Sequence, residues 1–145
     1  MLEQTKVTIP WWLTIILVLE TLPMFLGPVV ALMVPGFMGG PEAESINQAA
    51  FIYTNRNVAV GLALLIAWVL RNGPMLFVLI FIRLITDLGD LPTVLYYNLV
   101  TSAPRTIAIF VCLYYIPAIF ALRYLWQQMT RSDGETQSNS GDNNV

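Results

Sequence analysis

The sequence predicts an all-α polytopic membrane protein, a four-transmembrane-helix bundle with kinked helices. Three observations predict it. Hydrophobic residues make up 57% of the 145 positions and charged residues 11%, with a mean hydropathy of +0.67; a soluble domain has about 45–50% apolar and about 25% charged residues. The apolar residues gather in stretches long enough to cross a hydrocarbon core about 30 Å thick. Within those stretches lie the charges of Glu20, Arg56, Arg83, Asp87 and Asp90. Each costs at least about 2.5–3.5 kcal/mol at bilayer depth, so such groups face the bundle interior, pair with one another or line a hydrated cavity.

The first span is expected over 11–34, about 36 Å of helix at the usual rise. Pro23 and Pro28 are expected to kink it. Glu20 interrupts the apolar run and no small-residue cleavage site follows, which disfavours a signal peptide. Residues 35–44, rich in Gly and Pro, predict a loop. Ser45 to Gln48 has capping-box spacing, so a second helix is expected over 46–70. Its first half is polar (Asn47, Gln48, Thr54, Asn55, Arg56, Asn57); its second carries Ala59, Ala63 and Ala67 at a spacing suited to close helix packing. Arg71 to Pro74 predicts a tight turn.

A third helix is expected over 75–91, interrupted by Pro92, with a kinked or interfacial continuation to 100. Pro104 suits the first turn of a fourth helix over 104–127, bent at Pro117. These spans form one domain over 1–129. The tail, 130–145, is Ser/Asn/Gly-rich without a hydrophobic period and is expected to be disordered.

Four spans place both termini on one side, with Lys6, Arg71, Arg123 and Arg131; the opposite loops carry Arg105 beside Glu42 and Glu44. The positive-inside rule makes the first side cytoplasmic, and the expected location is the cell membrane. Trp11, Trp12, Tyr124 and Trp126 fit an aromatic belt there, Tyr96 and Tyr97 the opposite one.

Composition also excludes. A net charge of −2 offers no basic patch for nucleic acid. The chain has no histidine and a single cysteine, Cys112. That removes histidine-bearing metal sites, an intramolecular disulfide and a CxxC redox pair, and no metal or cofactor is expected. Cys112, in an apolar run, is expected to be an inert core residue.

The intramembrane charges fall at two depths. Counted along the helical rise, Glu20 and Arg83 lie about 13 and 12 Å from the cytoplasmic edge. They predict a structural ion pair between the first and third helices. Arg56, Asp87 and Asp90 lie at about 21, 18 and 22 Å. Residues 83, 87 and 90 share one helical face, so Arg56 is expected to meet one or both aspartates. Carboxylates outnumber arginines here, and the excess charge is cheapest to neutralise with a proton on Asp87 or Asp90, which repel each other. Asp87 is expected to be the ionised partner of Arg56, and Asp90 the titrating acid beside the Pro92 break. A hydrated cavity reached past Asn47, Thr54 and Asn57 would give a ligand-binding set of Arg56, Asn57, Asp87, Asp90, Asn47 and Thr54. Tyr114 and Tyr115 fit packed aromatics with bonded hydroxyls.

The stretch Asn55-Arg56-Asn57-Val58-Ala59-Val60-Gly61, followed by Arg83-Leu84-Ile85-Thr86-Asp87-Leu88-Gly89-Asp90, resembles the small four-helix membrane proteins of the DoxX-like superfamily. The resemblance covers roughly the middle third of the chain. It implies a four-helix bundle in which the arginine of the second helix faces the acidic end of the third. Some DoxX relatives are linked to quinone or sulfur redox chemistry. The single cysteine and the lack of a quinone signature keep that role from carrying over.

Three functions fit these residues. One is a membrane protein whose Arg/Asp cavity binds a small polar or amphipathic ligand. A second is a cofactor-free membrane enzyme of isomerase, cyclase or epoxide hydrolase type. There Asp90 or Asp87 would act as general acid or base on a lipophilic substrate and Arg56 would stabilise negative charge. The third is a proton-coupled transporter or transporter subunit, for which four short spans are few unless the chain forms a homodimer. Membrane lipid is the expected partner in every case.

Overall fold

The computed structural model describes residues 7–40, 44–96 and 103–141, which form helices and no strand. The helices are α1 (Trp11–Met33), α2 (Pro35–Gly39), α3 (Gln48–Val69), α4 (Gly73–Tyr96), α5 (Ala103–Ile109) and α6 (Ile116–Gly141), with a π-helical turn, Phe110–Tyr115, joining the last two. Trp11–Met33, Gln48–Val69 and the continuous stretch Pro104–Arg131 are each long and apolar enough to cross a membrane, which fits a membrane-embedded protein. α4 has comparable length but contains Arg83, Asp87 and Asp90.

α1 runs through both internal prolines. Pro23 and Pro28 leave the carbonyls of Leu19 and Met24 without their usual donors. The helix stops at Val34, which is extended, because the following proline disfavours helical geometry. Pro35 then opens α2, so the expected loop contains a short helix. α3 begins two residues later than expected. Its cap is Asn47, whose side chain accepts from the Ala50 N–H at 3.0 Å, in place of Ser45.

The α3–α4 turn is a Schellman motif. Asn72 N–H donates to the Ala67 carbonyl and Arg71 N–H to that of Trp68, with Arg71 at φ 51°. Asn72 then caps α4 by accepting from Met75 N–H at 3.0 Å. α4 continues through Pro92 to Tyr96, where the sequence suggested an interruption. At Pro117 the chain widens into the π turn. Ile116 N–H reaches back to the Val111 carbonyl, and the extra residue moves the backbone away from the proline ring. The helical trace extends to Gly141, across the region expected to be a disordered tail; once nucleated, a helix adds residues at little cost. Cys112 is exposed on the π turn, not in the core, because that turn directs it away from the bundle.

The long helices pack as a ring: α1 on α3, α3 on α4, α4 on α6, and α6 back on α1. α1 and α4 are therefore diagonal. One end is tied together tightly. Val7 N–H donates to the Arg71 carbonyl at 3.0 Å, Thr8 N–H to Gln128 Oε1 at 3.0 Å, and Tyr124 Oη–H to the Thr8 carbonyl at 3.1 Å. Trp12 packs edge-on against Tyr124, with ring centroids 4.8 Å apart. The hydrophobic core fills this end, built from Leu13, Leu17, Leu64, Leu76, Ile80 and Leu125 with small residues between them. Lys6, Glu42 and Tyr97, and the side chain of Tyr96, lie outside the described residues.

The small residue that lets α1 approach α3 is Gly61. Ala59 is exposed and Ala63 half-buried, so the expected alanine stripe is buried only at Ala67. A Cβ at Gly61 would lie 2.9 Å from Met24 Cβ and 3.1 Å from the Phe25 ring. Gly61→Ala should therefore destabilise, overpacking (about 1–3 kcal/mol) outweighing the gain in helix propensity (about 1 kcal/mol). Gly89 has open space around it, and Gly89→Ala should raise stability by up to about 1 kcal/mol. Thermal unfolding in one detergent checks both; equal shifts for the two variants would remove Gly61 as the close-approach point.

Candidate functional site: a buried charge ladder

Above the apolar core the bundle interior turns polar. Glu20, on the inward stripe of α1 with Leu13, Leu17 and Met24, is 2% exposed. Arg83 and Asp87 continue the inward stripe of α4 begun by Leu76 and Ile80, at i+3 and i+7 from Ile80. Arg83 Nη2 lies 2.7 Å from Asp87 Oδ1, and Arg83 Nε lies 3.8 Å from Glu20 Oε2. The second contact is an ion pair by proximity and not a hydrogen bond. Neither Glu20 oxygen nor Arg83 Nε has a hydrogen-bond partner. One guanidinium thus serves two buried carboxylates, bonding Asp87 and facing Glu20 across the diagonal of the bundle.

The expected Glu20–Arg83 pair is placed by this geometry, but Asp87 belongs to it as well. Asp87 takes its cation from Arg83 and not from Arg56. The reason is local: Arg83 and Asp87 are one helical turn apart, so their contact needs no approach between helices. Arg56 instead meets Asp90, Nη2 to Oδ2 at 3.5 Å, with side chains 50% and 37% exposed. The four charged groups of α3 and α4 therefore form two arginine–aspartate pairs at successive depths, with Glu20 as the surplus acid.

The residues expected to line a cavity divide differently. Asn47 is spent on the α2–α3 corner, accepting from Ala50 N–H and donating to the Met38 carbonyl at 3.2 Å. That removes it from the site. Asn57 is buried and donates to the Tyr53 carbonyl at 2.8 Å. Thr54 carries a buried hydroxyl oxygen without a partner. A groove of about 430 Å³ lies elsewhere, between α1 and the start of α6, and is lined by Trp12, Ile15, Ile16, Ile116, Pro117 and Phe120. It is apolar and distinct from the charge ladder.

Two residues join the site beyond those singled out as its members, Tyr115 and Thr21. Tyr115, on the π turn, donates its hydroxyl to the Asp87 carbonyl at 2.9 Å, so α4 is held at Asp87 through its main chain. Thr21 has a buried, unpartnered hydroxyl oxygen; its place beside Glu20 in an apolar run was a usable signal. Tyr53 packs over α1, where a Cβ on Gly27 would lie 2.5 Å from its hydroxyl. Among the described residues no group of His, Cys, Asp and Glu is placed to hold a metal ion.

The shared cation makes a ranked prediction. Arg83→Gln leaves two buried carboxylates without a counter-charge and should destabilise by about 3–5 kcal/mol. Glu20→Gln should cost much less, because Arg83 keeps Asp87 and the surplus negative charge disappears. Unfolding of both variants in one detergent checks the order. If Glu20→Gln costs as much as Arg83→Gln, Glu20 is an equal partner of the arginine and not a surplus acid.

No family model, no curated protein and no solved structure matches this chain.

Proposed function

We propose that the chain is a four-span protein of a prokaryotic-type cell membrane, with both termini cytoplasmic, whose polar interior binds a small polar or amphipathic ligand. α4 is the additional span in this reading; its charges turn inward or pair at the bundle flank. The DoxX-like resemblance belongs to the same proposal, since it too sets the arginine of one helix against the acidic end of the next.

One observation carries the binding role. Glu20 is buried with neither carboxylate oxygen hydrogen-bonded, while Arg83 makes its short contact to Asp87. A buried polar group without a partner is costly. Here Thr21 and Thr54 repeat the pattern. Together they form a set of oxygen acceptors and hydroxyls matched to a guest that brings its own donors. The way in is from the Arg56–Asp90 end, because the opposite end is closed by the Leu/Ile core.

Two experiments test this reading. The protein purified in a mild detergent should retain a small amphiphile at near-stoichiometric amount, seen by mass spectrometry of an organic extract, and Asp90→Asn or Arg56→Gln should lower its retention. An empty wild-type protein would overturn the binding role. For topology, single cysteines at Ser45 and Gln127, both exposed, in a Cys112→Ser background should label differently. An impermeant thiol reagent should reach position 45 and not 127 in intact cells; the reverse would overturn the orientation.

A further inference from the structure

Resting on that reading, we infer that the amphiphile is a zwitterionic phospholipid, held headgroup-first where the α3–α4 flank opens to the polar interior, with its phosphate on Arg56 and its ammonium beside Asp90.

The two arginine–aspartate pairs differ in exposure. Arg83 and Asp87 have side chains 11% and 4% exposed; Arg56 and Asp90 have 50% and 37%. A charged pair half-open to its surroundings at membrane depth is unusual and needs a polar neighbour. The pair is also loosely made. One nitrogen of Arg56 reaches one oxygen of Asp90 at 3.5 Å, while a guanidinium has five N–H donors in a fixed fork suited to phosphate. The contact with Asp90 uses one of these donors.

Depth selects the lipid headgroup. Arg56 lies about 12 Å along α3 from Gln48, and Asp90 about 9 Å along α4 from Tyr96. Both are within two or three turns of the helix ends that the four-span reading places outside. Side chains lean toward the N-terminus of their helix, and for α3 that is the outer end. A long arginine placed this way extends toward the interface while its stem stays in apolar surroundings.

Charge selects the class of headgroup. A purely anionic headgroup gains Arg56 but meets the Asp90 carboxylate, and a cationic one meets the reverse. A phosphate and an ammonium carried on one molecule satisfy both. The surroundings suit a lipid. Gly89, next to Asp90, leaves open space where a side chain would stand. Ile52, one turn from Arg56, and Ile85, one turn from Gly89, are exposed apolar residues against which an acyl chain can lie.

Native mass spectrometry of delipidated protein in detergent tests the assignment. Dioleoyl phosphatidylethanolamine and dioleoyl phosphatidylglycerol are added in equal amounts, and soluble O-phosphoethanolamine is used as competitor. The wild type should retain the zwitterionic lipid at least about fivefold over the anionic one. Asp90→Asn should reverse that preference, because Arg56 then meets phosphate without a neighbouring carboxylate. Arg56→Gln should lower retention of both. The exchanged variant Arg56→Asp/Asp90→Arg keeps the net charge and should recover the zwitterionic preference, which guards against variants that merely misfold. Several results overturn the inference while leaving ligand binding intact: equal or greater retention of phosphatidylglycerol by the wild type, no effect of Asp90→Asn, or displacement of the lipid by equimolar O-phosphoethanolamine. A lipid-free dimer that dissociates in Asp90→Asn assigns the flank to a second copy and overturns it as well. A monomer that retains no amphiphile of any class overturns the binding role itself.

Discussion

Arg83 lies between two buried carboxylates on diagonally opposed helices, Glu20 of α1 and Asp87 of α4. α1 and α4 stand on the diagonal of the helical ring, so their contact at Glu20 depends on long side chains meeting across the centre. The guanidinium fits there because it stays charged and presents separate nitrogens in a fixed plane. Its bond to Asp87 runs along α4, while Nε faces Glu20 from across the bundle. Desolvating such groups costs several kcal/mol per ion, and the arrangement gains little stability over a packed apolar centre. Glu20 and the arginine meet at one level of the bundle.

That level divides the bundle. Toward the end bearing Val7, Arg71 and Gln128, the interior is close-packed Leu, Ile and Ala. Away from it, the buried positions include Asn57 and Asp87, and Arg56 and Asp90 lie partly open at the flank. The same helices carry both halves. α3 runs from a polar first half to Leu64 and Ala67, and α4 runs in the opposite direction from Leu76 and Ile80 to its charges. Antiparallel packing superimposes the two gradients, so polarity accumulates at one end. Tyr115 secures this polar half by holding the Asp87 carbonyl from a π turn, a wider turn that is frequent at functional sites.

Much of this was legible because helical rise is a ruler. Counting residues from each turn put Glu20 level with Arg83 and Arg56 level with Asp90, and both contacts occur. What counting could not resolve was the competition for Asp87. Depth made it accessible to Arg56, but a neighbour one turn away on the same helix needs no tertiary arrangement. Facing was also hidden. Ala59, Ala63 and Ala67 had the expected spacing, yet the buried stripe runs through Asn57, Gly61 and Leu64, because Met24 and Phe25 of α1 pack where a side chain at 61 would stand. Asn47 was read as a site residue from its polarity alone, when its position before α3 made it a cap. Past Pro92 the sequence left a kinked continuation and an interfacial segment open, and the helix runs on to Tyr96, since losing one main-chain donor does not by itself end a helix.

The division into halves bears on which function the fold can serve. For a solute or proton to cross, the polar path through Asp90, Asp87 and Arg83 would have to continue past Glu20 to the other side. Below Glu20 lie Leu17 and Leu13 on α1, facing Leu64, Ile80 and Leu76, all essentially inaccessible. From Glu20 to Trp11 is about 13 Å of helix rise. Opening that distance to water would expose several core side chains, each worth about 1.5–3 kcal/mol when buried. The tied end resists such opening further, since Thr8, Tyr124 and Gln128 bind the N-terminal segment to α6. The buried polar groups therefore end at Glu20, with packed Leu and Ile below it and the half-exposed Arg56 and Asp90 above. Under the proposed binding role, that division suits retention of a ligand over its passage, with Arg56 and Asp90 as the charges nearest the surroundings.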